Sequence, residues 1–178
     1  MVVLYIGGSG SGKSGAAENC ICKLAQGKSK YYIATMRSNE EDEESIKRIE
    51  RHRFLRRDKG FITIEKPTSV EEAVKEMDLK EKHVLLECVS NLTANEMFFG
   101  NEIREKKETV ERVLNAVKAL KDNTDNLVIV TNNVFEDGNS YDSYTISYLD
   151  ALGEINREIS KMADEIYECV AGIEIKIK

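Results

Sequence analysis

Three features of the chain predict an α/β fold with a mostly parallel sheet flanked by helices. Strand-like and helix-like segments alternate along its 178 residues, the order expected of a parallel sheet. A short apolar run at residues 2–6 leads into Gly7-Gly8-Ser9-Gly10-Ser11-Gly12-Lys13-Ser14, which fits G-x-x-x-x-G-K-[ST] and is followed by a helix-like segment. Two further strand-like runs, residues 166–170 and 173–177, flank Ala171-Gly172 and read as an antiparallel hairpin closing the sheet. Together these specify a P-loop NTPase-type (RecA-like) nucleotide-binding domain over residues 1–178, a length that suits one core.

Each element has a local reason. Val2, Val3, Leu4, Tyr5 and Ile6 are continuously apolar, as in a strand buried on both faces. Residues 15–25 follow the glycine-rich stretch as the first helix, and Tyr31, Tyr32, Ile33, Ala34 and Thr35 form the second strand. Residues 39–57 read as a long charged helix, with Ser38 or Asn39 at its N-cap and acids in its first turns. Residues 61–65 are a short strand. Ser69, with Glu72 three residues on, matches a capping box and predicts a helix there. Residues 84–88 form another buried strand. Residues 105–121 place Val110, Val113, Leu114, Val117 and Leu120 on one helical face. Residues 127–131 are the next strand, 132–144 a polar loop, and 146–163 a helix.

The glycine-rich stretch carries the chemistry. Gly7, Gly8, Gly10 and Gly12 free the backbone to turn its N–H groups, with those of Ser9 and Ser11, around phosphate oxygens. The following helix aims its positive end at the same place. Lys13 is placed to reach the β- and γ-phosphates and Ser14 to hold Mg²⁺. Glu87 ends the run Leu85-Leu86-Glu87, in the manner of a Walker B strand that usually ends in Asp, and is the second candidate metal ligand. A charged residue closing a strand is its bland alternative.

The charged helix divides sharply. Glu40 to Glu44 are all acidic, and Lys47, Arg48, Arg51, Arg53, Arg56 and Arg57 follow. This arrangement suits the helix dipole on a solvated surface. It also sets His52 among arginines, which favours the neutral imidazole. A neutral imidazole can attack phosphorus, with Arg53 and Arg56 holding the charged nucleotide. His83 precedes a strand and reads as structural.

Composition excludes several classes. The net charge of −6 argues against a general nucleic-acid binder. The four cysteines include no C-x-x-C, so neither a disulfide framework nor a zinc site is expected. No apolar run reaches the roughly 20 residues of a membrane span. No leader is recognisable before the first strand, and a reducing cytoplasmic setting is expected.

In order along the chain, the motifs resemble those of the bifunctional adenosylcobinamide kinase / adenosylcobinamide-phosphate guanylyltransferase family of cobalamin synthesis. The glycine-rich loop, Tyr32-Ile33-Ala34-Thr35, Arg48-Ile49-Glu50-Arg51-His52-Arg53, and residues 61–67 with Thr63, Glu65 and Pro67 carry the resemblance. So do Leu85-Leu86-Glu87-Cys88, Val130-Thr131-Asn132, Asp150 to Asn156, Ala163-Asp164-Glu165-Ile166 and Gly172 to Lys178. The resemblance implies two reactions: phosphorylation of a corrinoid hydroxyl by a nucleoside triphosphate such as ATP or GTP, then transfer of GMP from GTP through a guanylyl-histidine. It implies His52 as nucleophile, Ala34, Thr35 and Met36 lining the nucleotide, Glu65 and Glu87 as nucleotide-contacting acids, and a homo-trimer.

The sequence departs from the family at Gly10, where arginine is common, and at Asn133, where glutamate is usual. Residues 134–140 replace V-G-x-G-x-V-P, and Ser143 falls near the place of an arginine. Loss of a carboxylate at 133 bears on the kinase half, since a carboxylate there could act as base; Glu136 or Asp137 are the substitutes to hand. Three other readings stand beside the bifunctional transferase. They are a relative with the kinase step lost or the acceptor changed, a different small-molecule kinase, and a nucleotide-binding regulatory module.

Overall fold

The apolar run that opens the chain forms strand β1 (Val2–Gly7) at the heart of a seven-stranded sheet. The computed structural model describes residues 1–37, 56–78, 80–100, 102–134 and 141–178. The strands are β2 (Lys30–Ala34), β3 (Phe61–Glu65), β4 (His83–Glu87), β7 (Asn126–Asn132), β8 (Glu165–Val170) and β9 (Ile173–Lys176). They lie in the order β3-β2-β4-β7-β1-β8-β9. All pairings are parallel except β8 with β9, the antiparallel hairpin that the closing sequence predicts. A separate two-stranded hairpin pairs β5 (Phe98–Phe99) with β6 (Glu102–Ile103).

Burial on both faces explains why β1 lacks polar alternation. Val2 and Leu4 join Tyr31, Ile33, Leu86, Leu127 and Ile129 in one core. Val3 and Tyr5 join Leu85, Val128 and Val130 in the other. Helix α1 (Lys13–Leu24) covers the second face with Ala17 and Ile21. Three helices cover the first: α2 (Val89–Met97), α3 (Lys106–Asp122) and α4 (Ser143–Met162). The apolar stripe read from sequence on α3 is the buried one, with Val110, Val113, Val117 and Leu120 in the core.

Several expectations change. The helix predicted from Ser69 is a 3₁₀ segment, Val70–Glu76. Ser69 is left-handed at φ 50° and its side chain makes no capping bond. Its N–H goes instead to Glu96 Oε1 at 2.8 Å, while Glu72 faces Lys66 at 3.4 Å, so the reciprocal bonds of a capping box do not form. Helix α4 starts three residues earlier than its periodicity predicts. Asp142 caps it, accepting from the N–H groups of Tyr144 and Thr145 at 2.8 and 3.0 Å. Helix α2 and the β5–β6 hairpin carry no sequence assignment at all. The charged helix predicted at 39–57 lies almost wholly outside the described residues, as do residues 135–140 of the polar loop.

Candidate nucleotide site

The loop between β1 and α1 is shaped by its glycines. Gly10 and Gly12 have φ of 72° and 91°, which only glycine adopts without strain. A Cβ on Gly7 would sit 2.6 Å from the carbonyl oxygen of Cys169 and from Ser11 Oγ. Gly12 approaches the turn between β8 and β9, where the Gly172 N–H donates to the Ser11 carbonyl at 2.9 Å. The far hairpin therefore braces the loop from outside. Lys13 is 8 % exposed, and its Nζ donates to the Gly8 carbonyl at 2.9 Å, within the loop itself. Ser11 Oγ is buried without a hydrogen-bond partner among the described residues.

Ser14 and Glu87, 73 residues apart in sequence, meet here. Ser14 Oγ donates to Glu87 Oε1 at 2.5 Å, and Glu87 Oε2 is buried with no partner among the described residues. A hydroxyl beside a carboxylate with one orphaned oxygen is a hard oxygen donor set, the kind Mg²⁺ takes. Among the described residues no cluster of three or more His, Cys, Asp or Glu occurs, so a cation at this point would draw its other ligands from phosphate and water.

A buried polar layer backs the pair. Arg56 is 6 % exposed, with its guanidinium carbon 3.5 Å from the centroid of the Tyr32 ring. Its Nε and Nη1 have no hydrogen-bond partner among the described residues. Burial, followed by the charge of Glu87, pushes the Tyr32 phenol far above its ordinary range and keeps it protonated. Glu18 on α1 is buried and paired with Lys59 at 2.5 Å. Burial raises the Cys88 thiol above its usual value as well, so it stays neutral.

The remaining sequence candidates fall into three groups. Ala34 pairs with Glu87 on one side and Glu65 on the other, so the ends of β2, β3 and β4 lie in one row. Within that row Glu65 is exposed on the outermost strand and Met36 is half-buried just beyond β2. Thr35 is fully buried and spends its side chain on the fold. Its Oγ1 donates to the Cys88 carbonyl at 2.8 Å and accepts from the Cys88 N–H at 2.7 Å. Gly8, Ser9 and Gly10 lie in the loop with open space around the two glycines. His52 and Arg53 lie outside the described residues. His83, read as structural, is buried at the opposite end of β4, where its Nδ1 meets Asn126 Nδ2 at 2.9 Å.

Sequence reasoning missed two polar ties at this end of the sheet. Asn95 on α2 donates through Nδ2 to the carbonyls of Thr35 and Pro67 at 2.7 and 2.9 Å, stapling the ends of β2 and β3. Asn132, at the end of β7, donates to Ser90 Oγ at 2.7 Å. Neither has a spacing signal, because each pair is brought together only by the sheet.

Known proteins resemble this chain to different depths. The sequence model of a family described as "Cobinamide kinase / cobinamide phosphate guanyltransferase" matches residues 3–177. The bifunctional adenosylcobalamin biosynthesis protein CobU of Escherichia coli (strain K12) is 30% identical over 187 residues, with 100% of both chains covered. The protein of the same name from Salmonella typhimurium is 28% identical over the same span and coverage. Among solved structures, the flagellar accessory protein FlaH from Methanocaldococcus jannaschii matches with a TM-score of 0.51 at 14% identity, covering 99% of this chain and 77% of that one. The KaiC-like protein PH0186 from Pyrococcus horikoshii OT3 matches with a TM-score of 0.53 at 14% identity, covering 94% of this chain and 71% of that one. These structural neighbours share the fold alone, a P-loop NTPase sheet of the RecA-like type, as the sequence predicts. No helix among the described residues is long and apolar enough to cross a membrane.

Proposed function

The chain belongs to the cobinamide kinase / cobinamide phosphate guanyltransferase family, and from that premise we propose that it carries out both reactions in cobalamin synthesis. In the first, the corrinoid's free hydroxyl attacks the γ-phosphorus of a nucleoside triphosphate. A new O–P bond forms, the bond to the β-phosphate oxygen breaks, and the hydroxyl proton leaves to solvent or a base. In the second, a neutral His52 nitrogen attacks the α-phosphorus of GTP and expels pyrophosphate. The phosphate oxygen of the corrinoid phosphate then displaces the histidine, giving the corrinoid-GDP product and free imidazole.

The observation that carries this reading is the meeting of Ser14 and Glu87 under the glycine-rich loop. The loop's N–H groups and Lys13 would take the phosphates, Lys13 exchanging its bond to Gly8 for phosphate oxygens. Ser14 and Glu87 would hold Mg²⁺, which when bound neutralises charge shared between the β- and γ-phosphates. Arg56, with buried N–H groups unsatisfied, would answer nucleotide charge that reaches it. Glu65, Met36 and Ala34 sit at the strand ends beside this point, and an acid there could accept from guanine N1–H and N2–H₂.

Incubation with α-labelled GTP and Mg²⁺ tests the covalent step. Wild type should take up an acid-labile, base-stable label that added corrinoid phosphate discharges, and His52→Ala should take up none. Equal labelling of the two proteins, or none with GTP bound, would remove the guanylyl-histidine from this reading. Feeding unphosphorylated corrinoid with ATP separately scores the kinase half, for which Asn133 stands where the family usually has glutamate.

A further inference from the structure

Strands β2 and β3 run side by side up to Ala34 and Glu65. The Lys66 N–H closes their ladder on the Ala34 carbonyl at 2.9 Å, and the Thr35 N–H then turns toward β4, donating to the Glu87 carbonyl at 3.0 Å. The carbonyls of Thr35 and Pro67 come instead to one nitrogen. Asn95, near the end of α2, donates to both through Nδ2, at 2.7 and 2.9 Å, which commits the two hydrogens of its amide. Exposed Arg37 adds a contact of its own, its Nη2 donating to the Asn95 carbonyl at 3.5 Å.

The next residue of α2 holds the same loop one step further on. Glu96, buried, accepts the Ser69 N–H on Oε1 at 2.8 Å, and its Oε2 accepts from Arg104 and Arg112 at 3.1 and 3.0 Å. Residues 67–69 are thus clamped by two consecutive side chains of α2, and Asn95 also grips the chain leaving β2. Core packing does not call for this amide. Asn95 is half-buried, and α2 is seated in the core by Val89, Leu92 and Met97. What the bridge does fix is the spacing between Met36, which follows Thr35, and Glu65, which precedes Lys66 and Pro67. The phosphate loop takes no part in the bridge, since β1 carries it on the far side of β4 and β7 from β2.

We infer that Asn95 is a positioning residue for the base of the bound nucleotide: by bridging Thr35 and Pro67 it sets the gap between the ends of β2 and β3, and with it the preference for guanine over adenine. The inference rests on the reading of these strand ends as the base site. Guanine offers N1–H and N2–H₂ to an acid, whereas adenine presents an acceptor at N1, so the acid discriminates to the extent that it is held in place. Such a contact needs placing to within about 0.5 Å. Without the bridge the two carbonyls turn to water, and Glu65 loses its fixed distance from Met36. Asn95→Asp goes further and sets a carboxylate against two carbonyl oxygens.

The test is equilibrium binding, with Mg²⁺, of the α,β-methylene analogues of GTP and ATP, neither of which can transfer its nucleoside monophosphate. Wild type should favour the guanosine analogue, and Glu65→Ala should lose that preference. Asn95→Ala should weaken the guanosine analogue about tenfold and leave the adenosine analogue within about twofold. Asn95→Asp should narrow the ratio at least as much. Should one Asn95 variant fail to fold, the other decides by the same ratio. Equal weakening of both analogues, or a lowered melting temperature with the ratio unchanged, would reduce Asn95 to a structural role and overturn the inference while the base site stands. A wild type without preference, or a Glu65→Ala protein that keeps it, would remove the base-site reading first and take the inference with it.

Discussion

Three glycines in one loop are required for three different reasons, and single substitutions separate them. A methyl on Gly7 meets backbone oxygen at 2.6 Å and cannot be relieved by a rotamer change. Gly7→Ala should therefore cost about 1–3 kcal/mol of stability through overpacking. Gly12 is crowded more mildly, an added Cβ meeting Gly172 Cα at 3.3 Å, and its φ of 91° makes Gly12→Ala cost about 1–2 kcal/mol in backbone strain besides. Gly8 has neither constraint, with nothing within 4 Å of an added Cβ. Gly8→Ala should melt like wild type, and any loss of nucleotide affinity it shows is then steric conflict with phosphate itself. Thermal melts beside nucleotide titrations of the three variants check this, and a Gly8→Ala protein that melts early would contradict it.

Helix α4 offers the clearest prediction among the elements, because its cap is ionisable. The Asp142 carboxylate accepts the Thr145 N–H and hydroxyl and the Tyr144 N–H, and these bonds hold its pKa below the ordinary carboxylate value. A depressed folded-state pKa means the cap's contribution is complete above the unfolded value, about 3.9, and is lost as pH falls through the folded one. Asp142→Ala should therefore melt below wild type at about pH 7, with the gap closing as the pH drops below about 3.9. A gap that stays constant into acid would refute the charged cap. Legibility of the elements follows the same local logic. β1, the loop, α1 and α3 were readable because their signals (apolar runs, glycine spacing, a stripe of valines) lie within each segment. Helix α2 was not, since Val-Ser-Asn-Leu-Thr-Ala-Asn-Glu-Met holds weak helix formers and is made helical by packing Val89, Leu92 and Met97 into the core. Ser69 misled for the opposite reason. Its local motif is complete, yet Glu96, 27 residues away, takes its N–H. In the site, Lys13, Ser14 and Glu87 were legible by type and spacing. The Thr35–Cys88 clasp, the Asn95 staple and the Ser90–Asn132 tie depend on neighbours that only the strand order supplies.

Across the whole molecule, strand order sets where the structure opens. The central strands β4, β7 and β1 are flanked on both sides and buried on both faces, whereas β3 and β9 form the sheet's outer edges. Native-state hydrogen exchange should find β1, β4 and β7 amides exchanging only through global unfolding, and those on the free edges of β3 and β9 much sooner. Faster exchange in β1 than in β9 would contradict this. The position of β1 has a further consequence. Both its partners come late in the chain: the Val2 N–H bonds to Asp164, 162 residues on, and β7 begins only at Asn126. At roughly 5–20 residues per second, a ribosome would release β1 and its loop about 8–30 s before β8 arrives. Until β7 follows, Val2, Val3, Leu4, Tyr5 and Ile6 form an apolar β-segment with neither strand partner on the nascent chain, so during synthesis a segment that ends in the interior of the finished sheet is open to chaperones and to mispairing.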